Sequence, residues 1–359
     1  MKTSFKRAVC FLLVLVLVVF MSACSSGSNE KAPEGGSSAG DLPGGVPAGG
    51  PGKDDGVLRL GASFAQIGSQ AMQVMAAEFE RYGKEAGFDE VIILSAENQV
   101  ERQIDQIQDL ITQKCDVIVC HSSDPDGIIP VIERVNDAQI PVIAIDRKIN
   151  GGDIYFAIET DNVAAGRNAA LQFGLDTRNE PEGSVEVLHL IGNQSSSALR
   201  ERHAGFEDEV SNWPQLKIIA EPYIQNDADK AYNAVVDAFK TNPDIRAIFT
   251  SADNFVAPII SALKEIDRLK PKGEAGHVMI SSVDGATLCL ESLTKGENDS
   301  VICQMFIEMT QEAIDIAKQY TDGEYIKPGK ITLMPTIIAT KENVESLSKQ
   351  GKLWGLPNK

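Results

Sequence analysis

Two α/β lobes in series, each built on a parallel sheet, are the fold class this sequence predicts, and three observations predict it. Strand-like apolar runs alternate with helix-spaced segments in βαβα order, the order that builds parallel sheets. The alternation restarts after Asn162. The globular part holds about three hundred residues, more than one hydrophobic core usually serves and suited to two.

The N-terminus precedes that body. Lys2, Lys6 and Arg7 lead into an apolar run from Ala8 to Met21, which is shorter than the roughly 20 residues that span a bilayer. It reads as an export signal over residues 1–23. The following Met21-Ser22-Ala23-Cys24 resembles the lipobox of bacterial lipoproteins, and the resemblance implies that Cys24 is the lipidated first residue of the mature chain. From Ser25 to Gly56, Gly, Pro and Ser dominate and apolar residues are scarce, so residues 24–56 cannot build a core. As a flexible coil the segment reaches on the order of 30 Å, the property of a tether or a cell-wall spacer.

In the body, strands are expected at Val57-Ser63, Val91-Ser95, Val117-Cys120 and Val142-Ile145, with helical spacing at Ala71-Ala86 and Val100-Gln113. After Asn162, Val185-Ile191, Leu216-Ala220, Ala247-Thr250 and Val278-Ser281 repeat the strand pattern. Helices are expected between them at Ala198-Val210, Ala228-Phe239 and Val256-Leu263.

Charge and cysteine content narrow the function. With 33 Lys+Arg against 51 Asp+Glu the net charge is −18, which argues against nucleic-acid binding and suits a solvated anionic surface. Cys10 leaves with the signal, and Cys115, Cys120, Cys289 and Cys303 remain in the body. Buried thiols are the expectation, and a Cys289–Cys303 disulfide is compatible with an exported protein. His121, His189, His203 and His277 stand in no HExxH or CxxC spacing, so no metal or other cofactor is expected. The body carries no GxSxG elbow, and a binding protein is expected rather than an enzyme.

In parallel α/β sheets, ligands bind beyond the carboxyl ends of the strands. Polar residues recur there. The first four strands lead into Gln66, into Asn98 and Gln99, into His121-Ser122-Ser123, and into Asp146-Arg147. In the second half the ends carry Asn193-Gln194, Asp253-Asn254, Asp284, and Gln304 after the run Ser300-Cys303. A single such end can simply cap a helix, as Asp124 before Pro125 and Asp161 before Asn162 are expected to do. Eight in succession point to a lined cleft.

Five segments carry a family resemblance: AIDRKINGGD (Ala144-Asp153), ETDNVAAGR (Glu159-Arg167), SALRERHAGF (Ser197-Phe206), NPDIRAIFTSAD (Asn242-Asp253) and SSVDG (Ser281-Gly285). In order and spacing, from Val57 to about Val344, the chain resembles the ribose- and galactofuranose-binding proteins of the periplasmic-binding-protein type I superfamily. The resemblance implies two Rossmann-like lobes joined by three crossovers, near Thr160-Asp161, Gln304-Met305 and Gly329-Lys330. Residues 57–159 plus 305–328 would form the N-terminal lobe, 160–304 plus 329–345 the C-terminal lobe, and 346–359 a C-terminal tail. It further implies a monomer, held outside the cytoplasmic membrane by the lipid on Cys24, that closes on a sugar-like ligand and delivers it to an ABC permease. A sensory protein presenting its ligand to a membrane histidine kinase or chemoreceptor is the alternative.

Carried over residue by residue, Asp146 and Arg147 match the sugar-clamping pair, Arg202 the second arginine of the RER segment, Asp284 the acid of the VDG turn, Gln304 a hinge-side amide, and Asn98 a further family position. Carboxylates accept from hydroxyls, and guanidinium groups donate to neighbouring oxygens. Gln66 and Asp253 join the expected site from their strand ends. Purely structural roles are the competing reading: a cap at Asp146 or Asp284, an ion pair at Arg202. The stacking aromatics depart from the family pattern. Gly68-Ser69-Gln70-Ala71-Met72 stands where ribose-type relatives place two aromatics, Gln73 near a galactofuranose-type tryptophan, Asn226 at a lobe-two aromatic, and Ala252 at a family asparagine. Phe64, Met72, Tyr223 and Phe255 are the candidates for an apolar face.

Overall fold

The computed structural model describes residues 55–356. The export signal, Cys24 and the tether up to residue 54 lie outside the described residues. The body opens with β1 (Arg59–Phe64), α1 (Gln70–Glu85), β2 (Glu90–Ser95), α2 (Val100–Thr112), β3 (Val117–His121), α3 (Ile129–Asp137), β4 (Val142–Ile145) and β5 (Phe156–Thr160). The second half follows with α4 (Asn162–Asp176), β6 (Val185–Gly192), α5 (Ser197–Val210), β7 (Leu216–Ala220), β8 (Tyr223–Gln225), α6 (Ala228–Thr241) and β9 (Ile245–Thr250). It continues through α7 (Val256–Glu265), β10 (Met279–Asp284), α8 (Thr287–Lys295) and β11 (Ser300–Cys303). The C-terminal part contains α9 (Phe306–Thr321), β12 (Lys330–Met334), β13 (Ile337–Thr340) and α10 (Val344–Lys349).

These strands form two sheets, as expected of two α/β lobes. The first has the order β12-β5-β4-β3-β1-β2, all parallel. The second runs β13-β11-β10-β9-β6-β7, with β8 beside β6 and β13 antiparallel to β11. Both sheets are buried on two faces because successive side chains alternate sides. In β3, Val117 and Val119 pack under α1 and α9, while Ile118 and Cys120 pack against α2 and α3. In the second sheet Leu188, Leu190 and Ile248 face α6, α7 and α8, and Val185, Val187 and Phe249 face α4 and α5.

The chain passes between the sheets three times: after β5, between β11 and α9, and between β12 and β13. The third passage corrects the expectation of a crossover near Gly329-Lys330. Lys330 to Met334 pair with Phe156 to Thr160, so this segment is an edge strand of the first sheet and residues 329–334 do not belong to the C-terminal lobe. Its short, half-exposed KITLM pattern fits the edge of either sheet, and only its hydrogen-bonding partner decides. Residues 346–356 are likewise no simple tail. Leu353, Trp354 and Leu356 are buried, Trp354 packs edge-on against Phe306 with ring centroids 5.5 Å apart, and its Nε1 donates to Asp284 O at 3.2 Å.

Two glycines set the helix packing that matters for the site. A Cβ on Gly166 of α4 would lie 1.9 Å from Arg202 O, and one on Gly205 of α5 2.0 Å from Val163 O. Without side chains there, the two helix backbones touch, as small residues allow. Asp161 caps α4, accepting from Ala164 N–H at 2.9 Å, and Asp124 accepts from Asp126 and Gly127 N–H. Asp161 acts as the cap its sequence context suggests, whereas Asp124 orders the turn before α3, whose N-cap position is Ile128 and carries no side-chain bond. Cys115, Cys120, Cys289 and Cys303 are free and buried, so the Cys289–Cys303 pair is not bridged; burial pushes the Cys115 and Cys120 thiols up to about 12.

Candidate functional site

The carboxyl ends of both sheets present charged groups built from short turns. On the first sheet, β4 ends at Ile145, and Asp146 takes a left-handed backbone, φ 62°, donating its N–H to Ile158 O at 2.8 Å. This turns its carboxylate toward β3, where His121 Nε2 lies 3.1 Å from Asp146 Oδ2. The imidazole tautomer follows from its other side: Ala65 N–H donates to His121 Nδ1 at 3.3 Å, so the ring proton sits on Nε2 and is given to Asp146. Burial holds His121 below its ordinary value and therefore neutral. Burial alone would raise Asp146, but the His121 hydrogen bond and the charges of Arg147 and Arg202 outweigh it and hold its carboxyl down. Arg147 is exposed and donates from Nη1 to Ser122 O at 3.2 Å.

On the second sheet, Arg202 is buried and multiply bonded. Nε donates to Asn162 Oδ1 at 2.9 Å, and Nη1 donates to Ser251 O at 2.9 Å and to Asp284 Oδ1 at 3.0 Å. Asp284, φ 137°, also accepts from Gln304 Nε2 at 2.5 Å, and Gln304 Oε1 accepts from Thr160 Oγ1 at 2.5 Å. A chain of hydrogen bonds thus runs from α5 through the β10 turn and the second passage to the end of β5. Asp253 is buried beneath it. Its carboxylate accepts from Ser282 Oγ at 2.6 Å and from the N–H groups of Gly285 and Ala286 at 2.7 and 2.6 Å. Burial and the neighbouring Asp284 raise Asp253, and burial raises Asp284.

The sequence-predicted residues therefore divide. Asp146, Arg147, Arg202, Asp284 and Gln304 stand at facing strand ends, and Asp146 feels the Arg202 charge from across the lobes. Asp253 commits both carboxylate oxygens to the turn that carries Asp284. Gln66 Oε1 accepts from the N–H groups of Gly68 and Ser69, and its Nε2 donates to Ser69 Oγ, so its amide orders the loop before α1. Asn98, in a left-handed conformation beside left-handed Glu97, donates its backbone N–H to Ala65 O at 2.6 Å. Of the candidates for an apolar face, Phe64, Met72 and Phe255 belong to the cores. Tyr223 is 48% exposed.

Sequence reasoning missed Lys148 and Glu159. Lys148 Nζ lies 2.7 Å from Glu201 of α5 and 3.7 Å from Glu159 at the end of β5, and so joins the two lobes. Burial raises Glu159, with Glu201 and Asp146 adding to the shift and Lys148 opposing it. The position of Lys148 directly after Asp146-Arg147 was the available signal. A second link joins the lobes at Gln70, whose side chain bonds Thr287 Oγ1 and accepts from Thr287 N–H at 3.1 Å.

The periplasmic binding protein domain family matches residues 60–325. Curated relatives include the ribose import binding protein of Salmonella typhimurium, 25% identical over 66% of this chain and 76% of that protein. The galactofuranose-binding protein of Escherichia coli is 26% identical over 81% and 92%, and a xylitol-binding protein of Mycolicibacterium smegmatis is 25% identical over 79% and 76%. Among solved structures, an ABC transporter solute-binding protein from Bacillus halodurans with bound myo-inositol superposes with TM-score 0.70, at 19% identity, over 83% of this chain and 99% of that one. One from Actinobacillus succinogenes with bound D-allose gives TM-score 0.71, at 20% identity, over 80% and 99%. Among the described residues no helix is long and apolar enough to cross a membrane.

Proposed function

Because the chain belongs to the periplasmic binding protein domain family, we propose that it captures a small polyhydroxylated ligand, a sugar or polyol, between its lobes and delivers it to an ABC permease. The observation that carries this reading is the opposition of Asp146 to the Arg202–Asp284–Gln304 chain. Asp146 and Asp284 accept from ligand hydroxyls, while Arg147 and Arg202 donate to ligand oxygens. Gln304 ties the site to the hinge side. Asp253, Gln66 and Asn98 act by shaping the loops around it. With Phe64, Met72 and Phe255 packed in cores, hydrogen bonds dominate recognition over ring stacking. The relatives that bind ribose, galactofuranose and xylitol support the ligand class.

The lobes close around the ligand as a unit of hinge motion, and the Lys148–Glu201 and Gln70–Thr287 links belong to the closed state. The protein works outside the cytoplasmic membrane as a monomer, anchored by lipid on Cys24. Cys24→Ser is expected to abolish incorporation of labelled fatty acid; retained label refutes the anchor.

Thermal unfolding of the purified protein against pentoses, hexoses, furanosides, inositols and linear polyols tests the main reading. A ligand at a hundred times its Kd stabilises by about 2.7 kcal/mol, a shift of about 2 °C or more for a chain of this size. A shift with one polyol that is lost in Asp146→Ala supports the assignment. No shift with any compound, after refolding from denaturant to strip carried ligand, overturns it.

A further inference from the structure

A second cluster of polar side chains lies in the C-terminal lobe, where β6, α5 and the end of β7 meet, and the proposed ligand site uses none of it. We propose that His189, His203 and Glu221, with Glu207 beside them, form a binding site for a divalent transition-metal ion of the zinc type.

One donor atom from each of His189, His203 and Glu221 lies within 4.8 Å of the others. His189 Nδ1 is 3.1 Å from Glu221 Oε1, and His203 Nε2 is 3.3 Å from Glu207 Oε2 on the same helix. Glu207 lies near enough to Glu221 to help hold its carboxyl down. In a tetrahedral site with bonds of about 2.0–2.1 Å, adjacent donor atoms are about 3.3 Å apart. Two edges of the cluster already have about that length, the others among His189, His203 and Glu221 are no longer than 4.8 Å, and binding would draw in the half-buried His203 ring and the two exposed glutamates.

The rings are held ready. His189 is fully buried and packs against Phe206 and Phe249 with centroids 4.8 and 5.1 Å away, so its orientation is set by the core. His203 lies against it, centroids 4.8 Å apart. Each ring turns one nitrogen toward a carboxylate, His189 Nδ1 toward Glu221 and His203 Nε2 toward Glu207, and these two nitrogens are the ones a metal would take. Two imidazoles with one or two carboxylates select zinc and its transition-metal neighbours over calcium or magnesium, which prefer all-oxygen sites. The glutamate side opens to solvent, which gives an ion entry and leaves room for a bound water. The ligands come from three separate elements, so no short-range spacing announces them in the sequence. Bound metal ties α5, the helix that carries Arg202, to β6 and β7.

The test uses the purified protein freed of metal with a chelator. Zinc is titrated against a chromogenic chelator, and cobalt is followed by its visible absorption. The expected result is one equivalent of zinc bound, intense visible bands with cobalt, and a rise in Tm with zinc. His203→Gln and Glu221→Gln, both at partly or fully exposed positions, are each expected to weaken zinc at least tenfold while keeping the wild-type circular dichroism. Glu265→Gln, an exposed carboxylate on another helix, is expected to leave binding unchanged. Absence of a one-to-one zinc complex in the wild type overturns the proposal, as does zinc binding of wild-type strength in both His203→Gln and Glu221→Gln.

Discussion

Arg202 Nη1 and Asp284 Oδ1 are 3.0 Å apart within the C-terminal lobe, and the same guanidinium is fixed by Asn162 and Ser251 O. The pair joins helix α5 to the turn after β10, so the geometry of a ligand-facing carboxylate depends on a helix from a different part of the chain.

Arg202→Ala removes the buried half of the pair and leaves the half-buried Asp284 without its main cation. Breaking a buried pair costs about 3–5 kcal/mol, and urea unfolding is expected to show a loss of that order together with a loss of ligand binding. Asp146→Ala removes a partly exposed group whose protein partner is a neutral imidazole. Its expected signature is different: affinity falls by about 2–3 kcal/mol, roughly 30- to 150-fold by calorimetry, while the unfolding midpoint moves little. Equal effects of the two variants on stability would contradict this division.

Gly166→Ala tests the helix contact. The added Cβ would sit 1.9 Å from Arg202 O, so α4 and α5 must separate. Overpacking of this kind costs about 1–3 kcal/mol. Because the displaced backbone is that of Arg202 itself, ligand affinity is expected to drop with stability, measured by urea unfolding and calorimetry on the same preparation.

The pH dependence of stability has a definite sign at Asp146. Its carboxyl is held below the ordinary value of 3.8, so the unfolded chain takes up the proton more readily than the folded one. The stability it contributes is complete above the unfolded value and is lost as pH falls through the folded one. Asp146→Asn keeps the shape and an acceptor for His121 but removes this titration. The difference in unfolding free energy between wild type and variant is expected to be constant from pH 7 to about 5 and to shrink below about pH 4. A difference that grows in acid would be the wrong sign.

Trp354→Ala probes the C-terminal segment. The indole is buried against Phe306 and bonded to Asp284 O. Loss of a buried Trp costs about 3–5 kcal/mol, and a thermal scan is expected to show it plainly. An unchanged Tm would mean that the segment is dispensable.

Much of the site was legible because parallel α/β folds place ligands at strand ends, and the polar residues following apolar runs can be read off directly. Asp146 and Asp284 were found in this way, while Arg202, on helix α5, came from the resemblance of the RER segment. Gln66 and Asp253 were found by the same signal, yet Gln66 bonds its own loop and Asp253 the neighbouring turn after β10, a distinction that depends on backbone turns no periodicity reveals. Lys148 and Glu159 were missed because a lysine next to an arginine and a glutamate inside a strand look like ordinary surface charges until Glu201 of the other lobe arrives beside them.

The sequence by itself determined two α/β lobes with parallel sheets, since the periods of two and 3.6 residues are local properties and most strands here are short, apolar and separated from the next by a helix. Only the tertiary structure decided which sheet receives Lys330–Met334, where Trp354 comes to rest, and which imidazoles and carboxylates gather beside α5. Those outcomes depend on hydrogen-bond partners and close backbone contacts between residues far apart in the chain, as when Gly166 and Gly205 let two helices touch, and no local pattern encodes such a pairing.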